Sequence, residues 1–199
     1  MRPGHTQEAR VPLRRVALFL LIAAGGLSAD LATKHWTFQQ LPSHGGVLWL
    51  WEGYVGLQKS LNEGALFGVG QGLVALYAVL SVVAAVAIPV WLFWAGAASD
   101  RVLCVALAMI MAGVLGNLYD RLGLHGLEWN VPGRAGQPVY AVRDFVLVQA
   151  SDRLRWPNFN VADSLLVCGA GLLVWRSVRE PRASAADRDP PNSASKNRH

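Results

Sequence analysis

Charge is scarce in this chain, and its absences are long. Only 16% of the 199 residues are Asp, Glu, Lys or Arg, while 53% are hydrophobic. No charge interrupts Val16–Ala29, Gly64–Ser99, Val102–Tyr119 or Ser164–Trp175. Runs like these exclude an ordinary soluble domain, because a hydrocarbon core of ~30 Å takes about 20 helical residues at ~1.5 Å each. Cysteine is nearly missing too. Cys104 and Cys168 both lie inside apolar stretches and read as small packing residues, not as a disulfide framework. The five histidines are scattered, with no His-x-x-x-His or Cys-x-x-Cys, so no zinc pattern exists. Neither a metal nor a cofactor is expected.

What is present reads as an all-α membrane protein: four transmembrane helices, with a small β-sheet on the outer face. The spans fall near 15–33, 72–95, 101–119 and 159–176. Residues 14–178 form one membrane domain, flanked by polar cytoplasmic tails at 1–13 and 179–199 that are too poor in apolar residues to fold. Eleven of the 18 basic residues lie in the two tails, beside them at Arg14, Arg15 and Arg176, and at Arg101 in the loop between the second and third spans. Basic residues favour the cytoplasmic side, which places both termini inside and the two longer loops, 34–71 and 120–158, outside. The eight tryptophans agree: Trp91, Trp94 and Trp175 mark inner ends, and Trp36, Trp49, Trp51, Trp129 and Trp156 fall at or beyond outer ends. Basic tails can also bind nucleic acid, but these are short and carry no interleaved aromatics, so no nucleic-acid partner is expected. Arg14-Arg15 followed by Val16–Leu27 and Ser28-Ala29 has the outline of a cleavable signal. Three further spans, and Asp30 and Lys34 just beyond it, favour a retained helix.

The outer loops contain little that is helical. Residues 45–60 alternate apolar residues with glycine turns and suit strands on the outer surface, as do residues 139–148. Between them, Leu124–Gln137 is a loop bearing Gly and Pro.

The polar exceptions gather at the outer ends of the spans. From Ser164 to Trp175 there are only 12 uncharged residues, so a fourth helix that spans must start near Phe159. That draws Asp163 to the membrane surface, where an acid is costly and by default functional. Asp144 stands 19 residues earlier in Val-Arg-Asp-Phe. Two carboxyls sharing a site cannot both ionise freely, so one keeps a proton while the other serves as base. That pair would activate water against a carbonyl and protonate the departing amine. Each acid also has a purely structural reading. Asn160 can cap a helix whose third residue is Asp163, and Asp144 can be a solvated charge on a strand. Asp30 and Lys34, at i and i+4, share a helix face and can pair. Asn62-Glu63-Gly64 precedes the second span, and Asn117 with Asp120-Arg121 ends the third, where Asp120 can hold Arg121.

Taken in order, Asp30-x-x-x-Lys34, Asn62-x-Gly64-Ala65-x-Phe67-Gly68, Gly116-Asn117-Leu118-x-Asp120-Arg121, Val142-x-Asp144-Phe145 and Phe159-Asn160-Val161-Ala162-Asp163-Ser164 resemble the lipoprotein signal peptidase (signal peptidase II) family, over about residues 14–176. The resemblance implies an aspartyl endopeptidase of the bacterial inner membrane with its active site at the periplasmic face. It removes the signal peptide of prolipoproteins before a diacylglyceryl-modified cysteine. It implies Asp144 and Asp163 as the catalytic pair, Asn62, Gly64, Asn117, Arg121, Asn160 and Ala162 on the substrate, and Asp30, Lys34 and Asp120 in support. Membrane lipids and the inhibitor globomycin are the other implied partners. The chain departs from the family in Leu124–Gln137, which looks like an insertion, and in Leu66, where a small residue is usual. Two other classes are weighed against this. A transporter would carry charges near mid-membrane and broken helices. A silent lipoprotein binder would lack one acid of the pair.

Overall fold

The computed structural model describes residues 11–42, 45–64, 70–151 and 153–179. The tail segments 1–10 and 180–199, and Ala65–Phe67–Gly68 of the second motif, lie outside the described residues. Four helices are long and apolar enough to cross a membrane. They are α1 (Leu13–Gln40), α2 (Val74–Pro89), α3 (Arg101–Arg121) and α4 (Val161–Arg179). Pro89 lacks an amide proton and its ring crowds the carbonyl four residues back. The helix there widens into a π turn, Val90–Trp94, that completes the second span.

Helix α3 is the axis of the bundle. Most of its spanning window is buried, whereas the other three helices turn most of theirs outward. It can be central because it is lined with Ala and Gly. A Cβ at Gly113 would sit 2.5 Å from the Ala162 carbonyl oxygen of α4, and one at Gly116 would collide with the Asp30 carboxylate of α1. At this end of α3, then, the α4 backbone and an α1 side chain press directly on its glycines. Asp100 caps α3 by accepting from the Leu103 amide at 3.0 Å, and also pairs with Arg176 near the end of α4.

Helix α1 runs to Gln40, seven residues past its expected end at 33. Its 28 residues reach about 42 Å, well beyond a ~30 Å core. Helix α4 begins at Val161, two residues after the expected start near Phe159. The preceding residues form a strand that was not expected. Its 19 residues reach about 29 Å, just enough to cross, which leaves Asp163 at the end of the span.

Above this end of the bundle lies one antiparallel sheet in the order β1 (Leu48–Trp51), β2 (Val55–Asn62), β3 (Val142–Ser151), β4 (Leu154–Phe159). β4 accepts Pro157 because it is an edge strand, with one ladder to satisfy. Directly opposed residues of an antiparallel pair share a face. The register therefore builds two rows across all four strands: Leu48–Leu57–Val146–Phe159 and Trp51–Val55–Val148–Trp156. Asp144 lies on the same face, opposite Ser60 and two residues from Val146. Along that face Asp144 is buried, Val146 half-buried and Val148 exposed, and Trp51 and Trp156 at the far edges are 67% and 53% exposed.

Candidate active site

Asn160 caps α4 as its position suggests. Its Oδ1 accepts from the Asp163 amide at 2.9 Å, and the Asp163 carboxylate accepts in return from the Asn160 amide at 3.2 Å. This reciprocal cap places an acid in the first helical turn, where the helix dipole favours negative charge. The structural reading of Asp163 is therefore correct, and it does not compete with a catalytic one. The side-chain amide of Asn160 is still free to donate, and it donates to Asp144 Oδ1 at 2.7 Å. One asparagine thus spans the two acids, one from β3 and one from α4. Asp144 is only 2% exposed and Asp163 only 7%. Neither is the solvated strand charge that Asp144 alone would suggest.

Each acid takes a further bond from another asparagine side chain. Asn117 donates to Asp163 Oδ1 at 2.9 Å, and Asn62 donates to Asp144 Oδ2 at 3.1 Å. Burial pushes the Asp144 carboxyl up to about 7, and the neighbouring Asp163 adds to the rise. The two asparagine donors pull the other way. Near neutral pH, then, Asp144 holds a proton much of the time.

Beneath the pair lies a buried ion cluster. Lys34 Nζ is 2.7 Å from Asp30, 3.2 Å from Asp120 and 2.9 Å from Asn117 Oδ1, so all three of its protons have a partner. Lys34, Asp30 and Asp120 are all fully buried, not a snorkelling surface pair. The second carboxylate oxygen of Asp30 accepts from the Ala162 amide at 2.9 Å, which ties α1 to the start of α4. Ala162 itself is buried against this contact.

Asp120 does not hold Arg121. It takes two bonds from the Arg143 guanidinium, at 2.8 and 3.0 Å, and a third from the Arg143 amide at 2.9 Å. Helical geometry explains the correction: consecutive side chains diverge by about 100°. Arg121 instead donates to the Gly64 carbonyl at 2.9 Å and stacks over Tyr77. Its Nε is buried and donates to no group among the described residues. Arg143 is the site residue that sequence reasoning missed. The available signal was a lone Arg among Val142, Phe145 and Val146, since a buried guanidinium demands an acid.

A cleft of about 240 Å³ opens beside Asp163 between α2, α3 and α4. Tyr77, Ser81 and Ala84 line it from one face of α2, Val114, Asn117 and Arg121 from α3, and Leu166 with Asp163 from α4. Its walls run from the apolar residues Leu80, Ala84, Val114 and Leu166 to the acid. Among the described residues no group of His, Cys, Asp and Glu has the makings of a metal site.

A four-helix membrane bundle capped by a small sheet, with two buried acids joined by an asparagine amide where bundle and sheet meet, defines a polytopic membrane protein with a paired-carboxylate site. The family model described as signal peptidase (SPase) II matches residues 22–179. The chain is 46% identical to the lipoprotein signal peptidase of Rhodopirellula baltica over 88% of its own length and 78% of that protein's. It is 28% identical to that of Clostridium novyi over 81% and 97% of the two chains. In fold it is similar to a bacterial membrane enzyme solved by the in meso method at 2.3 Å, with a TM-score of 0.65 at 23% identity, covering 82% of this chain and 88% of that one. The chain belongs to the signal peptidase II family, the bacterial membrane proteases whose role is to cleave the signal peptides of prolipoproteins.

Proposed function

We propose that the protein is an aspartic endopeptidase in which Asp144 and Asp163 are the catalytic pair. The observation that carries this reading is the Asn160 bridge between two buried carboxyls of unlike surroundings. Asp163 is anchored in the first turn of a helix by the Asn160 cap, a fixed position that suits a general base. Asp144 hangs from the sheet with its affinity for protons raised to about 7, which suits the acid that protonates the carbonyl oxygen; the proton Asp163 takes from water then passes to the leaving amine, and Asp144 regains its own as the intermediate collapses. Water between them attacks the carbonyl carbon, and the scissile C–N bond breaks as the amine takes its proton. Arg121, with a donor to spare, and Asn62, Asn117 and Asn160 orient the peptide. Asp30, Lys34 and Asp120 hold these orienting groups in place.

The substrate is a prolipoprotein whose cysteine carries a diacylglyceryl group, cut just before that cysteine. Two features support this. The cleft beside Asp163 has apolar walls suited to an apolar signal helix arriving from the bilayer. The two apolar rows on the Asp144 face offer lipid-compatible surface leading to the acid. In this reading the sheet lies on the outer leaflet of the bacterial inner membrane, the site opens to the periplasm, and both termini are cytoplasmic. Diacyl anchoring then holds the scissile bond at interface depth. Globomycin, a cyclic peptide, would occupy the same site.

The test is turnover of a lipidated precursor followed by gel shift, against an unlipidated precursor and with globomycin added. Asp144→Asn and Asp163→Asn are each expected to lower turnover by about 10²- to 10⁴-fold while the protein still inserts. Near-normal cleavage by either variant rules the pair out. Cleavage of both precursors alike rules out the lipid requirement.

A further inference from the structure

We propose that Glu63 and Arg134 are positioning residues for peptide-bond cleavage: their ion pair fastens the Leu124–Gln137 insertion to the end of β2 and so sets Asn62 against Asp144 and the Gly64 carbonyl against Arg121. The proposal rests on the reading of Asp144 given above, and extends it to a segment in which the chain departs from the family's pattern.

The insertion is not a slack loop. The Val139 amide donates to the Leu127 carbonyl and the Trp129 amide to the Gln137 carbonyl, each at 2.9 Å, and the Gly136 amide returns to Trp129 at 3.0 Å. These bonds close a hairpin. At its tip Arg134 lies over the Trp129 ring, 4.0 Å from the centroid, and makes two parallel bonds to the Glu63 carboxylate at 2.8 and 3.2 Å. A forked pair on a stacked guanidinium is oriented as well as attracted. The Arg134 bond holds the Glu63 carboxyl below its ordinary range, so the pair stays charged at neutral pH.

The point of attachment decides what the pair can do. Glu63 stands between Asn62, which donates to Asp144, and Gly64, whose carbonyl receives Arg121. The Glu63 amide also donates to Gln71, whose own amide donates to Asn62 Oδ1. Moving Glu63 therefore moves the donor to one catalytic acid and the anchor of the arginine beside the other. Glu63 and Arg134 are 29% and 43% exposed, so the pair adds little to stability. Its value is positional, and small displacements of catalytic groups cost rate out of proportion to their energy.

The experiment uses the full chain in liposomes with a lipidated precursor. Glu63→Gln and Arg134→Gln are each expected to lower kcat by about 3- to 10-fold with KM changed less than about two-fold. The reversed pair, Glu63→Arg with Arg134→Glu, is expected to regain at least half of the lost rate. The singles should also shift the alkaline limb of the pH profile upward, because a loosened Asn62 no longer favours ionised Asp144. The other charges bearing on Asp144, which are Asp163 on α4, Lys34 on α1 and Arg121 on α3, are untouched by these changes. Singles that match the wild type in kcat and pH limb, or a reversed pair no better than the singles, overturn the proposal. If the wild type itself leaves the precursor uncut, the functional reading fails separately. The positioning claim is then decided by the carboxyl ¹³C titration of Asp144, and an unmoved midpoint in Glu63→Gln overturns it.

Discussion

Two sets of charges serve the site, one below it and one above, and they are built on different terms. Below, Asp30, Lys34, Asp120 and Arg143 balance two acids against two bases with almost no exposure. Above, Glu63 and Arg134 meet in partial contact with water. A buried ion gives up its hydration and depends wholly on its partners, whereas a half-exposed one falls back on solvent when its partner is lost. The lower set therefore joins α1, α3, α4 and β3 into one rigid base. The upper set only adjusts where a strand end lies. Substitutions that act alike on both sets would erase this distinction.

The largest effect is expected at Lys34. Lys34→Met leaves Asp30 and Asp120 short of a cation in a dry site, which should destabilise the fold by about 3–5 kcal/mol. Thermal unfolding in detergent checks this, and a loss no greater than in Glu63→Gln would show that the two sets do not differ. Next is Gly116→Ala. The added methyl would strike the Asp30 carboxylate, and because that carboxylate is held by Lys34 and the Ala162 amide the helices must shift, costing about 1–3 kcal/mol. Asp30 also receives the Ala162 amide, so the same substitution should disturb the start of α4 and lower activity beyond what stability explains. Full activity in a destabilised Gly116→Ala would mean that the base tolerates movement and need not be rigid.

Most of the lower set was legible in the chain, and most of the upper part was not. Asp30 and Lys34 are one helical turn apart, so their pairing follows from local geometry. Asn160 and Asp163 are likewise joined by a local cap. The Asp120–Arg143 pair crosses 23 residues, and nothing local chooses Arg143 over the adjacent Arg121. The apolar rows were hidden for another reason. Which side chains share a face with Asp144 depends on register, and the ladders shift within each strand pair. β4 was concealed by Pro157 and Arg155, which are tolerable only because the strand is at the edge. The hairpin in the insertion was concealed because a single isolated bridge, Glu128 to Pro138, carries its strand character.

The finest contrast lies in Asp144 itself, which is held from above by Asn62 and pressed from below by Asp163. Its folded affinity for protons, near 7, lies above the ordinary carboxylate value of 3.8. The folded state therefore binds the extra proton between those values, and this group's contribution to stability falls as pH rises through that window. Asp163→Asn removes a like charge and should lower the midpoint. Asn62→Ala removes a donor to the ionised form and should raise it. Both shifts are smaller in energy than the losses expected at Lys34 or Gly116, and the carboxyl ¹³C signal of Asp144 reads them directly. Opposite movements show that Asn62 and Asp163 each tune the Asp144 proton, from opposite sides. Movement in one direction for both variants would mean that burial alone governs its proton, and that neither neighbour tunes the acid on which cleavage depends.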